Sequence, residues 1–204
     1  RNRKLICSRH TLKNPEKGIF RFIYYKVLQK FDKIIGVSQA VSESLIFIFP
    51  EIKNKVITIS NGIDLSKFII EKDKQNIRKE LEISLDQILG IYIARFSKFK
   101  NHEFLIKVVK KIPKLHIILI GDGELKLKFV EKAEEAKVLQ NFKLLDFIDN
   151  EKIPVYLRAS DLCLFPSLSE GFSNAILEAM SSELPTIIFK EIYSPEYGSN
   201  ILIA

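Results

Sequence analysis

Two glutamates in the stretch 166–180 have the spacing and surroundings of a site for a ligand with phosphate and hydroxyl groups. Glu170 is followed by Gly171 and small polar residues, and Glu178 comes later in a run with helical spacing. The apolar run 162–165 before them predicts a buried strand. A strand, a tight turn and a helix start leave backbone amides free at the positive end of the helix, where anions bind. Glu178 then lies further along the helix, where a carboxylate accepts hydrogen bonds from ribose hydroxyls.

The helix after this turn is expected to start near Phe172, with the amides of Gly171 to Asn174 pointing outward. Asn174, Glu178 and Ser181 share one helical face, and core-like apolar residues occupy the other. From the residues alone, the simpler explanation is favoured, in which Glu170 is a solvated loop acid and Glu178 an ordinary helix-forming residue.

Further candidates follow two earlier strand patterns. Arg95 and Lys100 come after the strand predicted over 88–94, and they offer a planar fork and a point charge to one anion. Gly121 and Gly123 follow the next strand and let backbone approach a ligand closely. A basic surface loop explains the first pair, and a simple tight turn explains the second.

The elements that must position these residues alternate between strand and helix. In the second part of the chain, strands are predicted over 88–94, 115–120, 142–146, 161–165 and 185–189, and helices over 101–112, 124–138, 151–159 and 173–182. Before them come strands 4–7, 33–37 and 55–59, a helix from Pro15 to Phe31, and a helix that Ser38 caps. The pattern predicts an α/β fold with parallel sheets, which bind ligands outside the carboxyl ends of the strands.

Length and composition bound the class of protein. At 204 residues and 47% apolar, the chain can bury a large core, and no apolar run is long enough to span a membrane. Arg1 in place of a starting Met indicates a fragment. Cys7 and Cys163 sit far apart in strand-like runs and are expected to be reduced, as in a cytosolic protein.

The positive charge is confined to the beginning of the chain. Residues 1–60 hold 12 Lys/Arg and 4 Asp/Glu, a net +8, whereas the remaining residues hold 20 and 21, a net −1. Such asymmetry is typical of proteins that bind an anionic surface, but a solvated basic face gives the same count. The basic residues are not interleaved with an aromatic sheet motif, so a nucleic-acid partner is not expected. Scattered histidines and the absence of an Asp-x-Asp motif give no metal site.

The segment 170–180 resembles the signature of retaining nucleotide-sugar glycosyltransferases of family 4, which have the two-domain GT-B architecture. Further landmarks stand in the family's order: Val37–Val41, Ile59–Asp64, Arg95 with Lys100, Gly121–Gly123 and Ala159–Asp161. The resemblance covers roughly residues 30–190.

The resemblance implies a role for each candidate residue. The donor diphosphate is held by Arg95, Lys100 and the amides of Gly171, Phe172 and Ser173. Glu178 binds the ribose, and Glu170 and His10 act at the transferred sugar. The donor pocket is completed by Gly121, Gly123 and Asn174. Neither a metal nor a cofactor is implied, because cationic side chains and helix amides stabilise the leaving diphosphate.

The same resemblance implies two Rossmann-like, doubly wound parallel sheets, the first only partly present. Residues 1–62 form the end of an acceptor-side domain, 63–75 a linker, and 76–204 a truncated donor domain. The start of the first domain and the final helices are expected to be missing, which leaves open whether the fragment is active alone. Asp146 stands where a glycine is usual near the nucleobase.

The implied activity is hexosyl transfer from a nucleoside-diphosphate sugar to a glycan or lipid-linked glycan, in cell-surface polysaccharide or lipopolysaccharide synthesis. Two alternatives stay open: a nucleotide-sugar epimerase on the same fold, and a nucleotide-binding module without turnover. The expected location is cytoplasmic. The basic, aromatic segment 17–33 is either a contact to the inner membrane face or an amphipathic helix packed on its own sheet.

Overall fold

The computed structural model describes residues 3–12, 18–198 and 201–204. The chain divides into two compact units. The first consists of Arg1–Gly62, Ser169–Ser173 and Ser194–Gly198, and the second of Ile63–Leu168, Asn174–Tyr193 and Ser199–Ala204. The expected linker 63–75 falls within the second unit, and the assignment of acceptor and donor roles to the two parts stays a prediction.

The first unit is a parallel three-stranded sheet with helices between the strands. Its elements are β1 (Ile6–Arg9), α1 (Ile19–Leu28), β2 (Lys33–Gly36), α2 (Gln39–Ile48) and β3 (Val56–Thr58), and the strand order is β1-β2-β3. The strand predicted over 4–7 is therefore misplaced by two residues, since β1 pairs with β2 from Ile6 through Arg9. The predicted helix start at Pro15 lies outside the described residues.

The start of α2 follows the sequence prediction. The Ser38 hydroxyl accepts a hydrogen bond from the Val41 amide at 3.2 Å, so it satisfies one of the amides that have no partner in the first helical turn. The helix then buries its apolar face in a small core. The members of that core are Leu28, Ile34, Leu45, Phe49 and Ile52.

Helix α1 buries only part of its apolar surface within the described residues. Tyr24 and Tyr25 pack on Phe49, with ring centroids 5.9 and 5.7 Å away. By contrast, Phe20 and Phe22 are 75% and 56% exposed. The amphipathic helix thus packs one face on its own unit and leaves the aromatic side chains of Phe20 and Phe22 exposed.

The second unit is built on a parallel sheet of six strands in the order β6-β5-β4-β7-β8-β9. Its strands are β4 (Ile88–Ile93), β5 (Leu115–Ile120), β6 (Phe142–Leu145), β7 (Leu162–Phe165), β8 (Thr186–Ile188) and β9 (Ile201–Ile203). Its helices are α3 (Lys74–Glu80), α4 (Glu103–Lys111), α5 (Lys126–Glu135), α6 (Ile153–Ala159) and α7 (Asn174–Ser181). Ile117 and Ile118 point to opposite faces of β5 and are both fully buried, so helices cover the sheet on both sides. The predicted α/β fold with parallel sheets is confirmed.

Two elements of the second unit were not predicted. Helix α3 comes from a polar segment that has no obvious apolar face, and β9 adds a strand beyond the last predicted one. Arg78 explains how α3 attaches, because this buried side chain donates hydrogen bonds to the Ala159 carbonyl at 2.8 Å and to the Asp161 carboxylate at 2.6 Å. Within the described residues, no helix combines the length and apolar character needed to cross a bilayer.

Candidate functional site

Neighbouring strands of the second unit deliver the first group of candidate residues. Strand β4 lies between β5 and β7, so the loops that follow these three strands leave from one edge of the sheet. Arg95 lies two residues after the end of β4, and its guanidinium forms an ion pair with Glu124 at 3.1 Å. The side chain is 74% exposed. Arg95 can therefore exchange Glu124 for another anion without unfolding its loop.

Gly121 and Gly123 allow the loop after β5 to lie against the loop after β4. A Cβ on Gly121 would be 2.3 Å from the carbonyl oxygen of Ala94, and one on Gly123 would be 2.5 Å from that of Phe96. Both glycines also have positive φ values, 142° and 152°. Backbone packing thus accounts for these two residues, and their role toward a ligand stays a prediction.

Lys100 is positioned by an aromatic cluster beneath its loop. The Tyr92 hydroxyl donates a hydrogen bond to the Lys100 carbonyl at 2.8 Å. The Lys100 ammonium lies 5.7 Å from the centroid of the Phe165 ring. Tyr92 is fully buried and Phe165 nearly so, and their contacts fix the backbone of Lys100 and hold its ammonium group beside the Phe165 ring.

His102 supports the same loop, a role that sequence reasoning missed. Its ring stacks on Phe96 with centroids 3.9 Å apart, and it is 5% exposed. The pKa of His102 is lowered to about 4, chiefly by burial; a hydrogen bond to the Ala94 carbonyl opposes the shift, and the nearby Lys100 charge adds to it. The ring is therefore neutral at physiological pH and adds no charge beside Lys100.

Helix α7 carries Glu178 and begins at Asn174, two residues later than the expected start near Phe172. Ile176 and Ala179 are fully buried, as the helical pattern predicts, whereas Asn174 is exposed. Glu178 is half-buried, and no described residue donates a hydrogen bond to its carboxylate. Burial raises its pKa above the usual range. This carboxylate is partly desolvated without an internal partner.

The loop before α7 belongs to the first unit, where three contacts fix its backbone. The Ser38 hydroxyl donates to the Gly171 carbonyl at 2.9 Å, and the Asn61 amide group donates to the Phe172 carbonyl at 3.0 Å. Gly171 also packs against the backbone of His10, because a Cβ added to Gly171 would lie 2.3 Å from the His10 carbonyl oxygen. The structure thus brings Gly171 and His10 into direct backbone contact, and Glu170 precedes this fixed point.

The amide of Ser173 is not free, contrary to the sequence prediction. It donates a hydrogen bond to the Tyr197 hydroxyl at 2.8 Å, inside the first unit. The Tyr197 ring also stacks on Phe172 at a centroid distance of 4.6 Å. The expected outward amide at Ser173 is wrong for this structure, because a side chain far along the sequence satisfies it.

The structure therefore divides the candidates into two groups. The second unit holds Arg95, Lys100, Gly121, Gly123, Asn174 and Glu178, and the first unit holds His10, Glu170, Gly171, Phe172 and Ser173. Sequence reasoning missed Asn61, Glu196 and Tyr197 as supports of the loop. Asn61 lies within the motif Ile59–Asp64, so the sequence could have marked it as a candidate. No motif or local pattern indicates Tyr197.

The remaining chemistry of the described residues is limited. No group of three or more His, Cys, Asp or Glu there could hold a metal ion. Cys7 and Cys163 are free thiols, and burial raises the pKa of Cys163 to about 12, so this thiol stays protonated. Asp146 forms an ion pair with Lys126 and is mostly exposed.

The chain is similar in sequence to several glycosyltransferases and in fold to solved structures. The O-antigen biosynthesis glycosyltransferase WclY of Escherichia coli is 28% identical over 86% of this chain. An Escherichia coli UDP-Gal:alpha-D-GlcNAc-diphosphoundecaprenol alpha-1,3-galactosyltransferase is 32% identical over 73% of it. The crystal structure of HepE from Anabaena, in complex with UDP and glucose, superposes with a TM-score of 0.81 over 99% of the chain at 22% identity. The chain spans 49% of WclY, 39% of the galactosyltransferase and 58% of HepE.

Two family profiles divide the sequence between them. The profile named Glycosyltransferase Family 4 matches residues 1–67, and the profile named Glycosyl transferases group 1 matches residues 73–197. The solved neighbours give the fold, which is that of GT-B glycosyltransferases with a partial first sheet. Since the second profile covers more than half of the chain, including Arg95, Lys100 and both glutamates of the opening motif, the protein belongs to the glycosyl transferases group 1 family.

Proposed function

We propose that this chain holds the donor site of a retaining glycosyltransferase that uses a nucleoside-diphosphate sugar. The observation that carries the proposal is the Glu178 carboxylate, half-buried on α7 without a described hydrogen-bond donor. Partial burial removes some of the water that would otherwise donate hydrogen bonds to this carboxylate, and a ligand can supply donors in its place. The two hydroxyls of a ribose supply two donors at the spacing that one carboxylate accepts.

The diphosphate is proposed to bind beside this helix. Arg95 and Lys100 follow β4, the direct neighbour of the strand that precedes α7. Arg95 releases Glu124 and contacts phosphate oxygens in a bidentate manner, while Lys100 acts as a point charge. Amides of the first turn of α7, beginning with Asn174, add the positive end of the helix dipole. Gly121 and Gly123 keep the neighbouring loop close.

In the proposed reaction, the bond between the anomeric carbon and the diphosphate oxygen breaks, and an acceptor hydroxyl forms a new bond on the same face. The acceptor proton passes to the departing diphosphate. Charge builds on the leaving oxygens, where Arg95, Lys100 and helix amides stabilise it without a metal ion. Glu170 and His10 are proposed to contact the transferred hexose, on the basis of the family resemblance.

The relatives support the choice of donor and setting. One relative is named for its UDP-galactose donor and its diphosphoundecaprenol-linked acceptor, and HepE was solved with UDP and glucose. We therefore propose a UDP-hexose donor and a glycan or lipid-linked glycan acceptor, in O-antigen or other polysaccharide synthesis. The proposed location is cytoplasmic, at the inner face of the membrane. Within the segment 17–33, the exposed Phe20 and Phe22 and the basic Arg21 and Lys26 are residue types that suit this contact.

A nucleotide-binding module without turnover is the second candidate. It would use the same proposed nucleotide contacts, Arg95, Lys100 and Glu178, and would bind the nucleotide without transferring a sugar. An epimerase on the same fold shares the donor site but needs acid and base groups at the sugar ring. Incubation with UDP-glucose and no acceptor, followed by product analysis, distinguishes it through a changed sugar.

Calorimetric titration of the whole chain tests the donor site. UDP and UDP-glucose should bind in the presence of EDTA, and UMP should bind at least about tenfold more weakly because it lacks the second phosphate. GDP and ADP serve as base controls. Equal affinity for UMP and UDP, or binding only after magnesium is added, contradicts the proposed diphosphate site.

A further inference from the structure

Tyr197 makes two contacts with the loop that precedes α7. Its hydroxyl accepts the hydrogen bond from the Ser173 amide at 2.8 Å, and its ring stacks on Phe172 with an interplanar angle of 16°. The side chain is 3% exposed. Burial raises the pKa of Tyr197 to about 12, so the phenol stays neutral and is not repelled by nearby Glu170. One side chain thus fixes both an amide and a ring of the same loop.

Glu196 anchors Tyr197 from the preceding position. Its carboxylate accepts a hydrogen bond from the Gln39 amide at 2.6 Å, at the first residue of α2. It also accepts from the hydroxyls of Ser60 and Ser194. Although burial alone raises its pKa, the hydrogen bonds from Ser194 and Gln39 outweigh that effect and hold the pKa of Glu196 below its usual range. The carboxylate is therefore charged and firmly seated at neutral pH.

The opposite side of the loop is held from two other places in the first unit. Ser38 donates to the Gly171 carbonyl, and Asn61 donates to the Phe172 carbonyl. Together with Tyr197, these contacts satisfy one backbone group in each of three consecutive residues: the carbonyls of Gly171 and Phe172 and the amide of Ser173. A loop held at every one of these points has a defined backbone direction where Glu170 leaves it.

We propose that Tyr197 is a positioning residue that orients Glu170 toward the sugar of the donor and so sets the preference for a sugar-bearing nucleotide over the bare diphosphate. The proposal rests on the proposed function, in which Glu170 contacts the transferred hexose. Tyr197 itself touches the loop and not the donor. Its removal should therefore change the contribution of the sugar to binding and leave the contribution of the nucleoside diphosphate in place.

The substitution Tyr197→Phe isolates the hydroxyl. It keeps the ring that stacks on Phe172 and removes only the acceptor of the Ser173 amide. Tyr193→Phe is the matched control, because Tyr193 is 38% exposed and lies four residues earlier on the same segment. Thermal unfolding of both variants establishes that each is folded.

The test compares the dissociation constants of UDP and UDP-glucose for the whole chain by calorimetry. In Tyr197→Phe, the affinity for UDP-glucose should fall by about fivefold or more, while the affinity for UDP changes by less than about twofold. Tyr193→Phe should change neither. A ratio of the two affinities that equals the wild-type ratio, or an equal loss of both, overturns the positioning role and leaves the donor site intact. Failure of the wild-type chain to bind either nucleotide overturns the donor site as well.

Hydrogen exchange provides a second measurement that does not depend on affinity. The Ser173 amide should exchange faster in Tyr197→Phe than in the wild-type chain, and UDP-glucose should slow its exchange in the wild type only. UDP alone should leave the difference between the two proteins unchanged. Unaltered exchange at residues 171–173 in the variant overturns the proposal, because the hydroxyl then does not hold the loop.

Discussion

The carbonyl oxygen of His10 occupies the space that a Cβ on residue 171 would need, at a distance of 2.3 Å from that Cβ position. The carbonyl carbon of His10 is also only 2.7 Å from it. Two backbones therefore meet where no side chain fits, and the glycine of the Glu170 motif is required by packing inside the first unit.

Gly171→Ala should displace this loop, because a backbone carbonyl cannot move aside as a flexible side chain does. We expect a loss of about 1–3 kcal/mol in the free energy of unfolding, measured by urea denaturation. Gly62→Ala is the matched control, since nothing lies within 4 Å of a Cβ at that position. Equal stability of the two variants would contradict the tight contact with His10.

Arg95→Ala combined with Lys100→Ala should weaken UDP binding by about tenfold or more, which is about 1.4 kcal/mol. The double variant Lys107→Ala with Lys110→Ala removes the same charge from the exposed face of α4 and should have little effect on affinity. Calorimetric titration at two salt concentrations measures both. Equal losses in the two double variants would mean that overall charge, and not a local site, attracts the nucleotide.

Glu178→Gln should have opposite effects on stability and on binding. Burial raises the pKa of Glu178 in the folded protein, so its contribution is most favourable below the unfolded pKa and is lost as the pH rises through the folded value. At neutral pH the glutamine variant should therefore melt at a higher temperature than the wild type, yet bind UDP about tenfold more weakly. Glu131→Gln, on the exposed face of α5, serves as the control. A lower melting temperature together with unchanged affinity would contradict the proposed role and would mean that Glu178 is an ordinary helix residue that does not contact the ligand.

Asp161→Asn should destabilise the second unit by about 2 kcal/mol, less than for a fully buried pair because the Asp161 side chain is 34% exposed. Burial raises the pKa of Asp161, but hydrogen bonds from Lys74, the Leu89 amide and Arg78 outweigh it and lower the pKa overall. The stabilisation is therefore present above about pH 4 and is lost as the pH falls through the folded pKa. Asp146→Asn breaks an exposed ion pair and should change stability by less than about 1 kcal/mol. Equal effects of the two substitutions in urea denaturation would contradict this assignment.

On acidification, His102 should cause a second loss of stability, which begins at a higher pH than the loss due to Asp161. Its folded pKa of about 4 lies below the unfolded value, so the unfolded chain binds more protons and stability falls as the pH drops from about 6.5 to about 4. His102→Phe keeps an aromatic ring beside Phe96 and should flatten the stability profile across that range. A variant profile with the wild-type slope between these pH values would contradict a buried neutral imidazole.

Periodicity predicted most of the second unit because its strands are short apolar runs between polar turns. Strand β5 matches its predicted bounds, and Arg95 follows its strand end as expected. Helix α3 escaped prediction because it buries only Ile77 and Arg78, and because Lys74 and Arg78 attach it to the Asp161 carboxylate far along the sequence, in place of an apolar stripe. A side chain that pairs at such a distance leaves no local pattern.

The turn before α7 shows the same limit at the candidate site. Local spacing located the glutamates, Gly171 and the helix, but it placed the helix start at Phe172 and left the Ser173 amide free. The structure starts α7 later, and the two intervening backbone groups pair with Asn61 and Tyr197. Along the sequence, most of the second unit separates Asn61 from the turn, and α7 and β8 separate Tyr197 from it, so the residues near the turn do not indicate these partners.

The first unit is assembled from three separate stretches of the chain, Arg1–Gly62, Ser169–Ser173 and Ser194–Gly198. A ribosome therefore releases its first stretch before the partners of that stretch are made, since the Asn61 side chain donates to the Phe172 carbonyl and the Gln39 amide donates to the Glu196 carboxylate. We expect the peptide 1–62 made alone to be less structured than the same residues in the whole chain. Biosynthesis must reach residue 198 before the early part of this protein can complete its folding.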